Sequence, residues 1–281
     1  MPTAFVLSGG ASLGAVQVGM LQALAAAGVW PPDLLVGTSV GALNAAFVAG
    51  HPSVDDLDEL ASIWRAMRRR DVFPARPLGG FVGFAGRSDH LVSPDGLRLL
   101  LETYLTFAAL EEASIPLHVV ATEVTSGREV VLSRGPALPA LLASTAIPGV
   151  FPPQVIDGRS LFDGGVANNT PISSAVTLGA DTVYVLPGSY ACVLAAPPPT
   201  ALGMIVQAIN LMVHARLAQD VERYEPLCEL LVVPPLCPLS ISPVDFRHSA
   251  SLIARSFEST TAWLAQGSPE PGQAAMLTRG S

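Results

Sequence analysis

An α/β architecture built around a thickly covered sheet is the fold class the sequence predicts, on three observations. Half of the residues are hydrophobic and only 14% are charged, the balance of a chain whose strands are buried on both faces. A short apolar segment, a glycine turn and an apolar helix succeed one another over residues 3–28, and the same order recurs over 34–49. A length of 281 residues suffices for one large core, and no composition break argues for a second.

The elements follow in order. Residues 3–7 read as a short buried strand, after which Ser8-Gly9-Gly10-Ala11-Ser12-Leu13-Gly14 turns into an apolar helix ending near Gly28. Residues 34–36 read as a second strand, followed by Gly37-Thr38-Ser39-Val40-Gly41 and a helix to about Ala49. Residues 55–70 form an amphipathic helix carrying Leu57, Leu60, Ile63, Trp64 and Met67 at helical spacing, and Arg68-Arg69-Arg70 is its solvated end. Residues 71–94, with Gly79, Gly80, Gly83 and Gly86 among apolar side chains, are expected to be a loop. A helix capped by Asp95 runs to about Thr106, and 117–124 pairs with 128–132 as a hairpin through Ser126-Gly127. A short helix over 139–144 precedes a turn-rich segment at 147–171. Residues 183–186 and 229–233 read as strands, 202–221 and 248–264 as helices. Residues 1–266 are read as one domain, and 267–281, rich in Gly, Pro and Ser, as a disordered tail.

Composition narrows the function. A formal charge of −8 and the absence of Lys, all 15 basic residues being Arg, give no pull toward nucleic acid and remove Walker A and Schiff-base chemistry. Cys192, Cys228 and Cys237 are odd in number and lack C-x-x-C spacing, so reduced thiols in a cytosol are expected, with neither a disulfide framework nor a zinc cage. No basic region precedes the first apolar stretch, hence no signal peptide is expected. Residues 2–32 and 183–215 lack Asp, Glu, Lys and Arg, but Gly and Pro cut both into pieces too short to span a bilayer.

Three motifs carry chemistry. Gly37-x-Ser39-x-Gly41, between a strand and a helix, presents a serine hydroxyl at a helix N-terminus, where only small neighbours fit the turn. Acyl transfer needs backbone N–H groups aimed at a developing oxyanion, and Gly9-Gly10-Ala11 offers them; Ala11 breaks the dinucleotide pattern that such a turn otherwise suggests. Phe162-Asp163-Gly164-Gly165 sets a carboxylate at the end of an apolar segment beside glycines that permit close approach, which makes Asp163 the candidate base.

In chain order, a glycine turn, then G-x-S-x-G, then D-G-G, the motifs resemble the patatin-like phospholipases. The resemblance runs through Phe5-Val6-Leu7-Ser8-Gly9-Gly10 and Gly37-Thr38-Ser39-Val40-Gly41-Ala42-Leu43-Asn44-Ala45, then through 143–153 and 163–171. It implies a three-layer α/β/α fold with a mostly parallel central sheet and a Ser39/Asp163 dyad without histidine. It also implies an oxyanion hole from the N–H groups of Gly10 and Ala11, supported by Gly9, Gly14, Gly37, Gly41, Gly164 and Gly165. The implied reaction is hydrolysis of a lipid or small acyl ester; no calcium loop or metal-ligand cluster occurs in the sequence, so neither metal nor cofactor is expected, and the cysteine reading places the protein in the cytoplasm, with transient contact at a membrane surface. Two positions depart from the family pattern: Ala11 stands for the third glycine and Leu13 for the cation two residues on.

Two other readings compete. An α/β-hydrolase triad could draw its histidine from His51, His90, His118, His214 or His248, although only two strand-like segments precede Ser39. A catalytically silent lipid-binding protein of the same fold is motivated by Leu13 and opposed by the presence of both Ser39 and Asp163. The apolar surfaces for substrate are the 72–86 loop and the 202–213 helix; Phe73, Phe81 and Phe84 of the former are read as packing more than as lipid contacts.

Overall fold

A computed structural model describes residues 1–74, 89–188, 192, 194, 196–237 and 241–267. The loop expected at 71–94 thus lies largely outside the described residues, with Phe81 and Phe84, as does the tail beyond Gly267.

The strands are β1 (Thr3–Leu7), β2 (Leu34–Thr38), β3 (Leu117–Glu123), β4 (Glu129–Leu132), β5 (Gln154–Ile156), β6 (Arg159–Asp163), β7 (Thr182–Leu186) and β8 (Glu229–Val232). The helices are α1 (Ala15–Ala26), α2 (Val40–Gly50), α3 (Asp56–Ala66), α4 (Arg69–Val72), α5 (Asp95–Tyr104), α6 (Ala137–Ser144), α7 (Gly165–Asn168), α8 (Ile172–Thr177), α9 (Ala201–Tyr224) and α10 (Ser249–Ala265). All the strands belong to one mixed sheet. β3, β2, β1, β7 and β8 are parallel neighbours in that order, while β4 and β6 run antiparallel to β3, and β5 antiparallel to β6.

Parallel pairs need crossovers, and the crossover helices cover both faces. Alternation along the strands divides the core accordingly. Phe5, Leu7, Leu35 and Val119 point to the layer that holds α1, α2, α3 and α10. Ala4, Val6, Val36, Val183 and Val185 point the other way, onto Ile172 and Ala175 of α8 and Leu217 and Val221 of α9. The result is the expected α/β/α sandwich, and it explains why α1 is apolar nearly all round: it is almost wholly buried.

The edge of β3 decides where the site forms. β4 pairs with residues 119–122 of β3 and overlaps both other partners, so it must own one edge alone. β2 pairs with 117–120 and β6 with 121–123, successive halves of the opposite edge. Where β2 ends and its chain turns into α2, β6 takes over. The last residue of β6 is Asp163, and the first after β2 is Ser39.

Three expectations are corrected. The helix over 55–70 is two helices, because Met67 and Arg68 adopt extended backbone; the Arg68 guanidinium donates to the carbonyls of Arg65, Ala66 and Met67, closing α3 instead of merely ending in solvent. The turn-rich 147–171 segment contains the β5–β6 hairpin. Cys192 and Cys237 form a disulfide, overturning the reading of three reduced thiols: the two residues lie a few positions beyond the ends of β7 and β8, adjacent parallel strands that deliver them to one place. The cytoplasmic placement loses the support it drew from reduced thiols. Cys228 is free and half-buried.

Candidate active site

Ser39 sits in the sharp turn from β2 to α2 with φ 54° and ψ −127°, a left-handed conformation that a non-glycine residue holds only under constraint. The constraint is close packing: a Cβ on Gly41 would stand 2.2 Å from the carbonyl oxygen of Leu7, so glycine lets α2 start against the end of β1. The Ser39 N–H donates to Ser144 Oγ at 2.8 Å, and that hydroxyl donates to the Val120 carbonyl at 2.6 Å.

Ser39 Oγ lies 2.6 Å from Asp163 Oδ2 across 124 positions of sequence. The other carboxylate oxygen, Oδ1, accepts the Gly165 N–H at 2.8 Å, and the Asp163 carbonyl accepts the Thr122 hydroxyl at 2.9 Å. Gly164 permits this approach, since a Cβ there would stand 2.2 Å from Val120 O. Both side chains are buried. Burial pushes the Asp163 carboxyl up from its ordinary 3.8 to about 6, against the opposing pull of the hydrogen bonds from Ser39 and Gly165.

The glycine turn after β1 lies alongside. The Gly9 N–H donates to Asn169 O and the Ser12 N–H to Pro243 O, while among the described residues no acceptor meets the N–H of Gly10 or Ala11. Ala11 has φ 50°, the conformation in which a third glycine would be free of strain. Leu13, at the position of the family's cation, is buried in the core. Gly9 and Gly14, in the connection from β1 to α1, and Gly37, in β2, are buried.

Several residues to which the sequence gave no role hold this arrangement. Gln17, fully buried, donates to the carbonyls of Ser8 (2.8 Å) and Leu186 (3.0 Å) and accepts from Asn44 Nδ2, whose Oδ1 accepts the Trp64 indole N–H. A glutamine within an otherwise apolar helix was the available signal. Ser144 and Thr122 gave none, being ordinary in their segments.

Ser39 and Ala11 open on an apolar cavity of about 120 Å³ walled by α2, α3, α5, Phe73, Phe151 and Phe246. Phe73 stacks on Phe151 at 5.5 Å and also lines the cavity, so packing and cavity contact coincide in it. Among the described residues no histidine lines the cavity. His51 is stacked on Phe47, His90 pairs with Asp89, His118 with Ser133 and His248 with Asp245, and His214 lies in α9.

Comparison with known proteins gives a consistent result. Residues 5–176 match the family described as patatin-like phospholipase. An uncharacterized NTE family protein of Mycobacterium tuberculosis is 32% identical over 182 residues, 63% of this chain and 46% of that protein. Patatin-like phospholipase domain-containing protein 6 of Homo sapiens is 32% identical over 191 residues, 65% of this chain and 13% of that protein. The chain therefore spans less than half the length of either relative. Among solved structures, VipD from Legionella pneumophila aligns over 92% of this chain and 67% of its own with a TM-score of 0.47 and 14% identity.

Proposed function

The chain belongs to the patatin-like phospholipase family, and from that premise we propose that it hydrolyses lipid acyl esters through an acyl-enzyme, with Ser39 as nucleophile and Asp163 as general base. The observation that carries the reading is the 2.6 Å contact between Ser39 Oγ and Asp163 Oδ2 at the wall of an apolar cavity.

The chemistry follows from that geometry. As Ser39 Oγ attacks the ester carbonyl carbon, its proton passes to Asp163 Oδ2. The N–H groups of Gly10 and Ala11 receive the negative charge that develops on the carbonyl oxygen. Collapse breaks the bond to the alkoxy oxygen, which leaves as the alcohol with the proton from Asp163. Water then gives a proton to the same carboxylate and attacks the acyl-Ser39 carbonyl, releasing the fatty acid and restoring the hydroxyl. A carboxylate raised to about 6 is a stronger base than an ordinary aspartate and is still ionised at neutral pH. The cavity accepts the acyl chain, because its wall of leucine, phenylalanine and tryptophan side chains replaces water around the methylenes.

The test is hydrolysis of a graded series of p-nitrophenyl esters in the presence of EDTA. Ser39→Ala and Asp163→Asn are expected to lose roughly a thousandfold or more in kcat, and His248→Ala to match the wild type. Folded wild type that turns over none of the esters sinks the reading. Folded His248→Ala that is equally dead moves the base from aspartate to histidine.

A further inference from the structure

The long helix α9 is inside out over its first half. Met204, Ile205, Ala208, Ile209, Leu211 and Met212 are exposed, Met212 to 72%, and they share one arc of the helix. The half-buried residues opposite include the polar side chains Gln207, Asn210 and His214 beside Val206 and Val213. A helix bathed by water has the reverse distribution. No Asp, Glu, Lys or Arg occurs between residues 183 and 215.

Topology places this arc at the same end of the sheet as the active site, on the opposite face. β7 and β8 are parallel, so α9, which connects them, runs back from the C-terminal edge of the sheet to its N-terminal edge. Ser39 and the glycine turn leave β2 and β1 at that same C-terminal edge. Among the described residues the first buried side chains along α9 are Leu217, Asp220 and Val221. A 24-residue helix is roughly 36 Å long and a five-residue strand roughly 16 Å. The half before Leu217 therefore overshoots the sheet at the catalytic end.

We propose that the N-terminal half of α9 is an interfacial docking element that seats the catalytic edge of the sheet on the surface of an electrically neutral bilayer. The choice of lipid as occupant rests on the hydrolase reading; the inverted arc and its position do not. Among the described residues no helix is long and apolar enough to cross a membrane, so the element lies in the interface plane. A second copy of the chain is the other occupant that such a face could take, and the oligomeric state decides it. Charge selects the lipid: the arc offers no cation, and a protein of net charge −8 is repelled by an anionic surface.

Flotation of the full chain with phosphatidylcholine vesicles tests this, comparing wild type with the triple variant Ile205→Glu, Ile209→Glu, Met212→Glu. The wild type is expected to float with the vesicles independently of salt, and the variant to bind more than about tenfold more weakly. The variant should keep its melting temperature and its turnover of a soluble p-nitrophenyl ester, because the three side chains face outward. The proposal is overturned if the wild type stays in solution, if it needs anionic lipid or loses binding in salt, or if the variant floats as well. Sedimentation overturns it in favour of a second copy if the wild type is a dimer without lipid and the variant a monomer. Lipid binding by a wild type that cleaves no ester leaves docking standing and removes the hydrolase reading.

Discussion

In its ionised form, the one the proposed reaction requires, Asp163 costs stability. Its carboxyl titrates near 6 in the folded chain against an ordinary 3.8. Below the lower value both states are protonated and the group contributes nothing. Between the two values the native state holds a proton that the unfolded chain has released, so stability falls as pH rises through that window. Above about 6 the full cost is present, about 3 kcal/mol. Asp163→Asn is therefore expected to raise the melting temperature by roughly 5 °C at about pH 8 and by nothing at about pH 3, while abolishing ester turnover. In the wild type, kcat/KM should rise with pH through about 6 and then level off, because only the carboxylate accepts the Ser39 proton. Thermal melts of the two proteins across pH and a pH–rate profile check both halves. An acid limb near pH 4 would mean that Asp163 is solvated and that the burial argument is wrong. Ser39 and Asp163 were nominated by motif and by resemblance, and the structure brings them within 2.6 Å. Ser144 and Thr122 were not nominated, because a serine or threonine acquires a positioning role only from what packs beside it.

Among the elements, the critical device is the passage of one β3 edge from β2 to β6. It requires β6 to end flush against Val120, with Gly164 in the gap. Gly164→Ala would drive a methyl group to 2.2 Å from Val120 O, a backbone atom that cannot swing aside. The expected cost is about 1–3 kcal/mol of stability, with loss of turnover larger than stability alone explains, since Asp163 moves away from Ser39. Denaturant unfolding measured beside ester kinetics separates the two effects. Unchanged turnover in a folded Gly164→Ala protein would show that the edge does not set the dyad distance. The β1 and β2 units were readable because strand, glycine turn and helix are adjacent in sequence. β5 and β6 were hidden by Pro152, Pro153 and Gly158, which mark turns whether or not the residues between them pair. The interruption of α3 at Met67 was hidden for a different reason: the apolar spacing continues across it.

At the scale of the whole molecule, a covalent tie between the loops beyond β7 and β8 adds to the packed layers. Cys192 and Cys237 are 45 residues apart, and closing a loop of that size in the unfolded chain is worth up to about 4 kcal/mol in the chain-entropy account. One thiol, Cys228, is expected to react in protein denatured without reductant, and three after reduction. The double variant Cys192→Ser, Cys237→Ser should unfold at lower denaturant concentration. Three reactive thiols before reduction in freshly purified protein would remove the tie. The loop beyond β7 leads into α9, whose exposed apolar arc lies at the same end of the sheet.

The sequence by itself determined the layered α/β class, the order of the three motifs and the residues proposed to attack, to accept a proton and to hold an oxyanion. Those properties depend on neighbours a few positions apart, where steric limits on the backbone leave glycine, serine or aspartate as the residues that fit. Tertiary structure alone decided which strands share an edge, how Ser39 meets Asp163 across 124 positions, that two of three cysteines join, and that α9 turns its apolar arc outward. Each of these is a meeting of distant segments, governed by the packing of surfaces that no local pattern records.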